Sequence, residues 1–302
     1  MPENHLRLMP MIRTFLVLIQ VVFCSLFLNA QAGPSLDSMV REINFYADIV
    51  VNAEKSEHRQ RAQVLLSEHF DQFLQTEGSF QFPLDSIPWL YVLPGDGFRL
   101  VSWQLCNSPE SYTYYAFLQW PDRHVYFKDS RPFINGAAFT TFTPGTWYGA
   151  VYYHMIPFEK EKQTFYLLLG YNAENSLMNT KVVDVLDLSG SEPKLGVPVF
   201  TGAEETQTRV LVSYSDIAPA RVQYDESLKG VVIDHVAPVP GIGPGGETLP
   251  VPDGSLEAWL LKKGDWVYEA EVYDVKQKEP PMTRERENRA EEKDILGRPK
   301  NK

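Results

Sequence analysis

The sequence predicts a mainly β protein with an N-terminal α-helical hairpin. Before Gly78 apolar residues recur at helical spacing, and after it short aromatic and β-branched runs alternate with Gly, Pro, Asp and Asn. Aromatic residues make up 13% of the chain, and such side chains favour pleated, half-buried surfaces. We therefore expect an antiparallel meander that forms a sandwich or a barrel-like sheet. A β-propeller is the alternative, ranked second because no fixed repeat signature is visible.

Residues 1–32 have the three parts of a secretory signal peptide. Arg7 and Arg13 precede an apolar stretch at 15–28, and Ala30 and Ala32 form an A-x-A cleavage site before Gly33. The stretch is shorter than the ~20 residues of a membrane-spanning helix. We expect cleavage, export to the periplasm or the exterior, and no transmembrane span in the mature chain.

Residues 33–77 are expected to form the helical hairpin. Apolar residues recur at helical spacing both before and after a polar break near residues 52–56, so each side of the break predicts a helix with one apolar face. The residues of these two faces are Val40, Ile43, Ala47 and Val50, then Ala62, Leu66, Phe70 and Phe73.

Residues 78–275 are expected to form the antiparallel β domain. Pro94-Gly95-Asp96-Gly97 is a turn between two apolar runs and predicts a hairpin. Residues 112–120 and 147–156 are apolar on both faces and should lie between two layers, whereas 98–106 should be half buried. Other strands are predicted at 89–93, 125–128, 165–171, 181–188, 197–200, 209–214, 221–224, 231–236, 256–261 and 266–273.

Two further segments carry no predicted strand. Residues 238–254 are rich in Pro and Gly and are expected to form a loop. The tail at 276–302 is dense in charge with almost nothing apolar, so we expect it to be disordered or a frayed helix.

Composition excludes some classes of partner. The formal net charge of −11 repels a phosphate backbone, so nucleic acid is not an expected partner. Signal cleavage would remove Cys24 and leave Cys106 alone, and the mature fold would then be stabilised by packing rather than by a disulfide.

No motif predicts a cofactor or a metal site. Gly241, Gly243 and Gly246 satisfy G-x-G-x-x-G, but the surrounding prolines preclude the helix that dinucleotide binding requires. Asp184 and Asp187 fall short of a calcium cage, and solvated turn acids describe them adequately. No catalytic signature is present, and catalytic residues remain unknown.

Two histidine residues, His154 and His235, are candidates for a catalytic base. Asp234 and His235 are neighbours on a predicted strand, so their side chains should face opposite sides and need separate partners. His154 lies on a predicted aromatic strand and is expected to be a hydrogen-bonded core residue.

Aromatic side chains offer a second kind of function, because exposed Tyr and Trp stack on sugar rings or anchor protein contacts. The alternative interpretation of these Tyr and Trp side chains is that they are buried in the core. The pool of candidate ligand-contact residues is Tyr112, Tyr114, Trp120, Tyr148, Tyr152 and Tyr153.

Several strand segments also carry a resemblance. Four segments resemble sequences found in a group of uncharacterised secreted proteins of Bacteroidetes-type bacteria. They are Phe98-Arg99-Leu100-Val101-Ser102-Trp103, residues 146–153, residues 165–170 and Pro252-Asp253-Gly254-Ser255. The resemblance covers roughly residues 78–273. It implies an exported or cell-envelope location and supplies no active site.

We therefore expect an exported protein with a non-enzymatic binding or structural role in the cell envelope, with a glycan or an envelope protein as ligand. The alternative is a hydrolase whose site is assembled from separate loops.

Overall fold

The computed structural model of the protein describes residues 34–131 and 134–272. The predicted signal peptide with its cleavage site at Ala30, Ala32 and Gly33 lies outside the described residues, as does the charged tail. The helices are α1 (Leu36–Asn52) and α2 (Ser56–Gln75). The strands are β1 (Tyr91–Pro94), β2 (Arg99–Ser108), β3 (Ser111–Gln119), β4 (His124–Lys128), β5 (Val151–Lys160), β6 (Gln163–Ala173), β7 (Met178–Asp187), β8 (Lys194–Leu195), β9 (Phe200–Thr201), β10 (Val210–Ser215), β11 (Val222–Asp225), β12 (Gly230–Val239), β13 (Leu249–Lys262) and β14 (Asp265–Glu269).

The helical hairpin is confirmed, and its two predicted apolar faces are buried. The Ser35 hydroxyl caps α1 by accepting a hydrogen bond from the backbone N–H of Ser38 at 3.2 Å. Ile43 on α1 and Leu66 and Phe70 on α2 are fully buried, so the faces meet each other and the sheet beneath them. Neither helix in the described part of the chain is long and apolar enough to cross a membrane.

The strands form three open sheets. The first sheet has the order β1-β2-β3-β4, and the middle sheet has the order β10-β7-β6-β5 with β8 beside β7. The third sheet has the order β11-β12-β13-β14-β9. Neighbouring strands are antiparallel except for the parallel pair of β14 and β9. The sheets do not close into a barrel, and they do not form the propeller considered above.

The helices and sheets stack as four layers. The hairpin packs on one face of the first sheet around Trp103 and Phe117. The opposite face of that sheet packs on the middle sheet, whose own far face packs on the third sheet around Trp259. The predicted sandwich is confirmed, and β3 lies between two layers as its sequence predicts.

Three segments differ from their prediction. The strand expected at 147–156 begins at Val151 and is the edge strand β5, so it is not covered on both faces along its length. Strand β2 is not half buried, because Ser102 is fully buried and its hydroxyl accepts a hydrogen bond from the backbone N–H of Tyr152 at 3.0 Å. The proline-rich segment is not all loop, since Pro238 pairs with Pro250 in a continuation of β12 and β13. This two-stranded arm extends beyond the registers of β11 and β14, so the missing proline N–H groups cost no ladder bond on its free edges.

A fully buried ion pair lies within the layer between the first and middle sheets. Arg209 donates to both carboxylate oxygens of Asp184, at 2.8 and 3.0 Å. The Tyr152 hydroxyl also donates to Asp184 at 3.1 Å, and the remaining Arg209 donors reach the carbonyls of Ala137 and Thr140. The expectation of a solvated turn acid is therefore wrong for Asp184, because the middle sheet is covered on both faces.

Replacing Arg209 by Met should lower the free energy of unfolding by about 3–5 kcal/mol, because it leaves the Asp184 carboxylate buried without its cation. The exposed Arg221–Asp234 pair provides the matched control, and Arg221→Met should cost less than about 1 kcal/mol. Urea denaturation measures both values. Equal losses in the two variants would contradict this assignment.

Candidate functional site

A cleft lies on one side of the molecule, and an edge strand from each of the three sheets contributes to it. Strands β1, β5 and β11 are edge strands of the first, middle and third sheets. Residues of all three line the cleft, together with the C-terminal end of α1. Its volume is about 710 Å³, which lies within the size range of small-molecule sites. The stacking of the sheets therefore builds the site.

The floor of the cleft comes from the middle sheet. Val151, Tyr171 and Lys181 lie opposite one another on β5, β6 and β7 and form one row across the sheet. The register of β5 shifts between Tyr152 and His154, so Tyr153 occupies a bulge. A bulge re-aims a side chain, and here Tyr153 joins the cleft while Tyr152 remains buried on the other side.

Lys181 is the charged group of this floor and lies at the β7 end of the row. Its Nζ lies 5.1 Å from the ring centroid of Tyr153 and 5.3 Å from that of Tyr171. No carboxylate in residues 34–131 and 134–272 lies within salt-bridge distance of this ammonium. Burial lowers the pKa of Lys181, because the charged form loses hydration that no acidic side chain replaces.

The two tyrosines beside Lys181 are held in place by their hydroxyl groups. Tyr153 donates to the backbone carbonyl of Val222 at 2.9 Å, and Tyr171 donates to Asn179 Oδ1 at 2.6 Å. Burial raises the pKa of both, that of Tyr171 to about 12, so both hydroxyls remain protonated donors at neutral pH. Because the hydroxyls are engaged, the two rings contribute their faces to the site.

The rim of the cleft carries aromatic and amide groups. Trp89 is half buried and Tyr91 is exposed, and both stand on or just before β1. Gln104 on β2 and Gln223 on β11 add two amides. The Gln104 Oε1 atom is buried and receives no hydrogen bond from any donor in the part of the chain that the structure describes. The site thus combines stacking surfaces, a cation and an unsatisfied acceptor.

The aromatic residues singled out from the sequence have separate environments. Tyr114, Tyr148 and Tyr152 are buried in the core between the first and middle sheets. Tyr112 and Trp120 are half buried outside the cleft, and Arg123 lies 4.6 Å from the Trp120 ring centroid. Tyr153 is the member of the pool that lines the cleft.

Sequence reasoning missed Trp89, Tyr91, Gln104 and Lys181 as site residues. The available signal was Lys181 in the run Lys-Val-Val-Asp-Val-Leu, where a strand apolar on both faces carries two charges. Charged groups on such a strand must be paired or must reach a solvent-accessible cleft. That rule selects Lys181, but it does not select its aromatic neighbours.

The two histidines considered as bases lie outside the cleft lining. His154 is exposed rather than in the core, because the bulge at Tyr153 breaks the alternation of β5. Asp234 and His235 have separate partners, as predicted: Asp234 pairs with Arg221, while His235 Nδ1 lies 2.8 Å from Asp253 Oδ2.

The His235–Asp253 pair does not form a nucleophilic triad. Ser255 Oγ donates to Asp253 at 2.7 Å, so the carboxylate and not the imidazole receives the hydroxyl proton. In a triad the histidine stands between the hydroxyl and the carboxylate. All three groups are exposed at the base of the two-stranded arm.

The remaining motifs are accounted for by local hydrogen bonds. The Glu247 carboxylate accepts a hydrogen bond from the backbone N–H of Gly245 at 2.8 Å within the glycine-rich loop. Asp187 accepts from the Gln163 side chain and from the backbone N–H of Ser189. Cys106 carries a free thiol that contacts the backbone carbonyl of Ser108. The described residues contain no group of three or more potential metal ligands.

Comparison with protein families, with curated proteins and with solved structures found no match to this chain. The functional assignment therefore depends on the geometry of the site.

Ser255→Ala should raise the pKa of Asp253. Hydrogen bonds from Ser255, and then the one from His235, lower this pKa to about 2. A lowered carboxyl pKa stabilises the fold above about pH 4, and this contribution is lost as the pH falls through about 2. Carbon-13 NMR titration of the carboxyl groups measures the change. Ser227→Ala removes an equivalent hydroxyl from Asp225 and should not move the Asp253 titration. An unchanged Asp253 pKa in Ser255→Ala would contradict the assignment.

Proposed function

We propose that this chain is an exported, non-enzymatic binding protein that holds a glycan in the cleft between its sheet edges. The observation that carries the proposal is the partly buried Lys181, fixed between two tyrosine rings in a cleft with an aromatic rim. Sugar rings present apolar C–H faces that stack on aromatic side chains, and their hydroxyl groups satisfy amides. The cleft offers both kinds of contact.

The chemistry of the lining supports binding more than catalysis. Glycoside hydrolysis requires a pair of carboxyl groups on either side of the scissile bond. The described residues that line the cleft are aliphatic, aromatic, amide-bearing or basic, and they include no carboxylate, histidine, hydroxyl of Ser or Thr, or thiol. The alternative of a hydrolase therefore receives no support from this cleft.

The proposed location follows from the N-terminal segment. The signal peptide predicted at residues 1–32 and the resemblance to secreted proteins of Bacteroidetes-type bacteria both favour the periplasm or the cell exterior. Envelope polysaccharides are present in these compartments, so the location agrees with a glycan ligand. The proposal takes a glycan rather than an envelope protein because the site is a concave cleft and not a flat aromatic band.

Trp89→Ala should weaken oligosaccharide binding by roughly 2- to 12-fold, the value of one lost aromatic contact of about 0.5–1.5 kcal/mol. The measurement is isothermal titration calorimetry of the mature chain against neutral and uronic-acid-containing oligosaccharides. Tyr91→Ala should act in the same direction.

Tyr126→Ala is the matched control for these variants. Tyr126 is an exposed aromatic residue on β4, at the opposite edge of the same sheet from Tyr91. The Tyr126→Ala variant should bind every sugar with the affinity of the unchanged protein. A protein that binds no saccharide, or a Trp89→Ala variant that binds normally, would overturn the proposed function.

A further inference from the structure

Among the described residues that line the cleft, Lys181 is the one cation without an acidic partner. Arg221 also lines the cleft, but it is paired with Asp234. Lys181 lies between two rings instead, with no carboxylate of the described residues in contact. A bound anion would offset the desolvation of this ammonium, and a charge-assisted hydrogen bond is about twice as strong as a neutral one. The site therefore selects for a negative charge on the ligand.

The polar groups of the cleft specify more than a charge. The amides of Gln104 and Gln223 line the cleft and can pair with hydroxyl groups, and Lys181 is a donor that requires an acceptor. A ligand that carries both a hydroxyl group and a carboxylate supplies both partners. With a net charge of −11 on the whole chain and one uncompensated cation in the cleft, a single carboxylate fits better than several.

A second hollow continues from the cleft. It has a volume of about 370 Å³ and is lined on the outer face of α1 by Arg41, Asn44, Phe45 and Asp48, and Arg41 is already paired with Asp37. Pro88 and Trp89 line both spaces, so Trp89 stands at their junction. Phe45 is 59% exposed, which leaves its ring available for stacking. This arrangement suits a ligand of more than one ring.

We propose that the ligand is an acidic oligosaccharide whose uronic acid binds at Lys181 and whose neutral sugars extend across Trp89 toward Phe45. This inference rests on the proposed function and specifies its ligand. Lys181 binds the carboxylate, the Gln104 amide hydrogen-bonds a sugar hydroxyl group, and the aromatic side chains stack on the ring faces.

The test uses two matched probes. One is a trisaccharide with a single glucuronic acid at its end, and the other is the same trisaccharide with that carboxyl group reduced to an alcohol. Calorimetry on the mature full-length chain should give at least about ten-fold tighter binding of the acid, the value of one charge-assisted hydrogen bond. Lys181→Gln should abolish the preference, and Lys181→Arg should retain most of it.

Lys194→Gln is the control, because Lys194 is an exposed lysine on β8 of the same sheet. It should keep the preference. Phe45→Ala should weaken the trisaccharide but leave free glucuronic acid unchanged, and thermal denaturation should confirm that each variant folds.

The outcomes distinguish the choice of an acidic ligand from glycan binding in general. Equal binding of the acid and the alcohol overturns the acidic ligand and leaves glycan binding intact, as does a preference that survives in Lys181→Gln. An unchanged trisaccharide affinity in Phe45→Ala overturns the extension across Trp89. Failure of both probes and of every neutral sugar overturns the proposed function itself.

Discussion

The middle sheet is covered on both faces, and this constraint determines where the protein can place charge. The helices and the first sheet lie on one side of it, and the third sheet lies on the other. A charged group in such a layer must be paired or must lie where the layers part, because an uncompensated buried charge costs several kcal/mol. Strand β7 uses both solutions within four residues.

Asp184 and Lys181 illustrate the two solutions. Asp184 faces the first sheet, where Arg209 and Tyr152 satisfy both of its oxygens. Arg209 also donates to the Ala137 carbonyl in the short 3₁₀ helix Ala137–Phe139. Lys181 faces the third sheet near its edge, where two tyrosine rings contact it and no acid of the described residues does. The first charge holds the structure together, and the second remains available to a ligand.

The sequence predicts the parts of the fold that depend on local periodicity. Residues such as Ile43 and Leu66 follow the helical period and are buried as expected, and the strand runs yield an antiparallel sandwich. The site depends on long-range features instead. Alternation along β5 does not reveal the bulge at Tyr153, and no local pattern reveals that β1, β5 and β11 end at the same side. For that reason Tyr153 was predicted among five aromatic residues that lie elsewhere, whereas Trp89 and Lys181 were missed.

An NMR titration that follows the six tryptophan indole N–H signals tests the central claim most directly, because it does not presuppose the location of the site. On addition of the uronic-acid trisaccharide, the account predicts that the Trp89 signal shifts most. The signals of Trp147, Trp259 and Trp266, which are buried elsewhere in the core, should stay in place. A dominant shift at Trp120, or no shift at Trp89 on saturation, would contradict the assignment of the cleft.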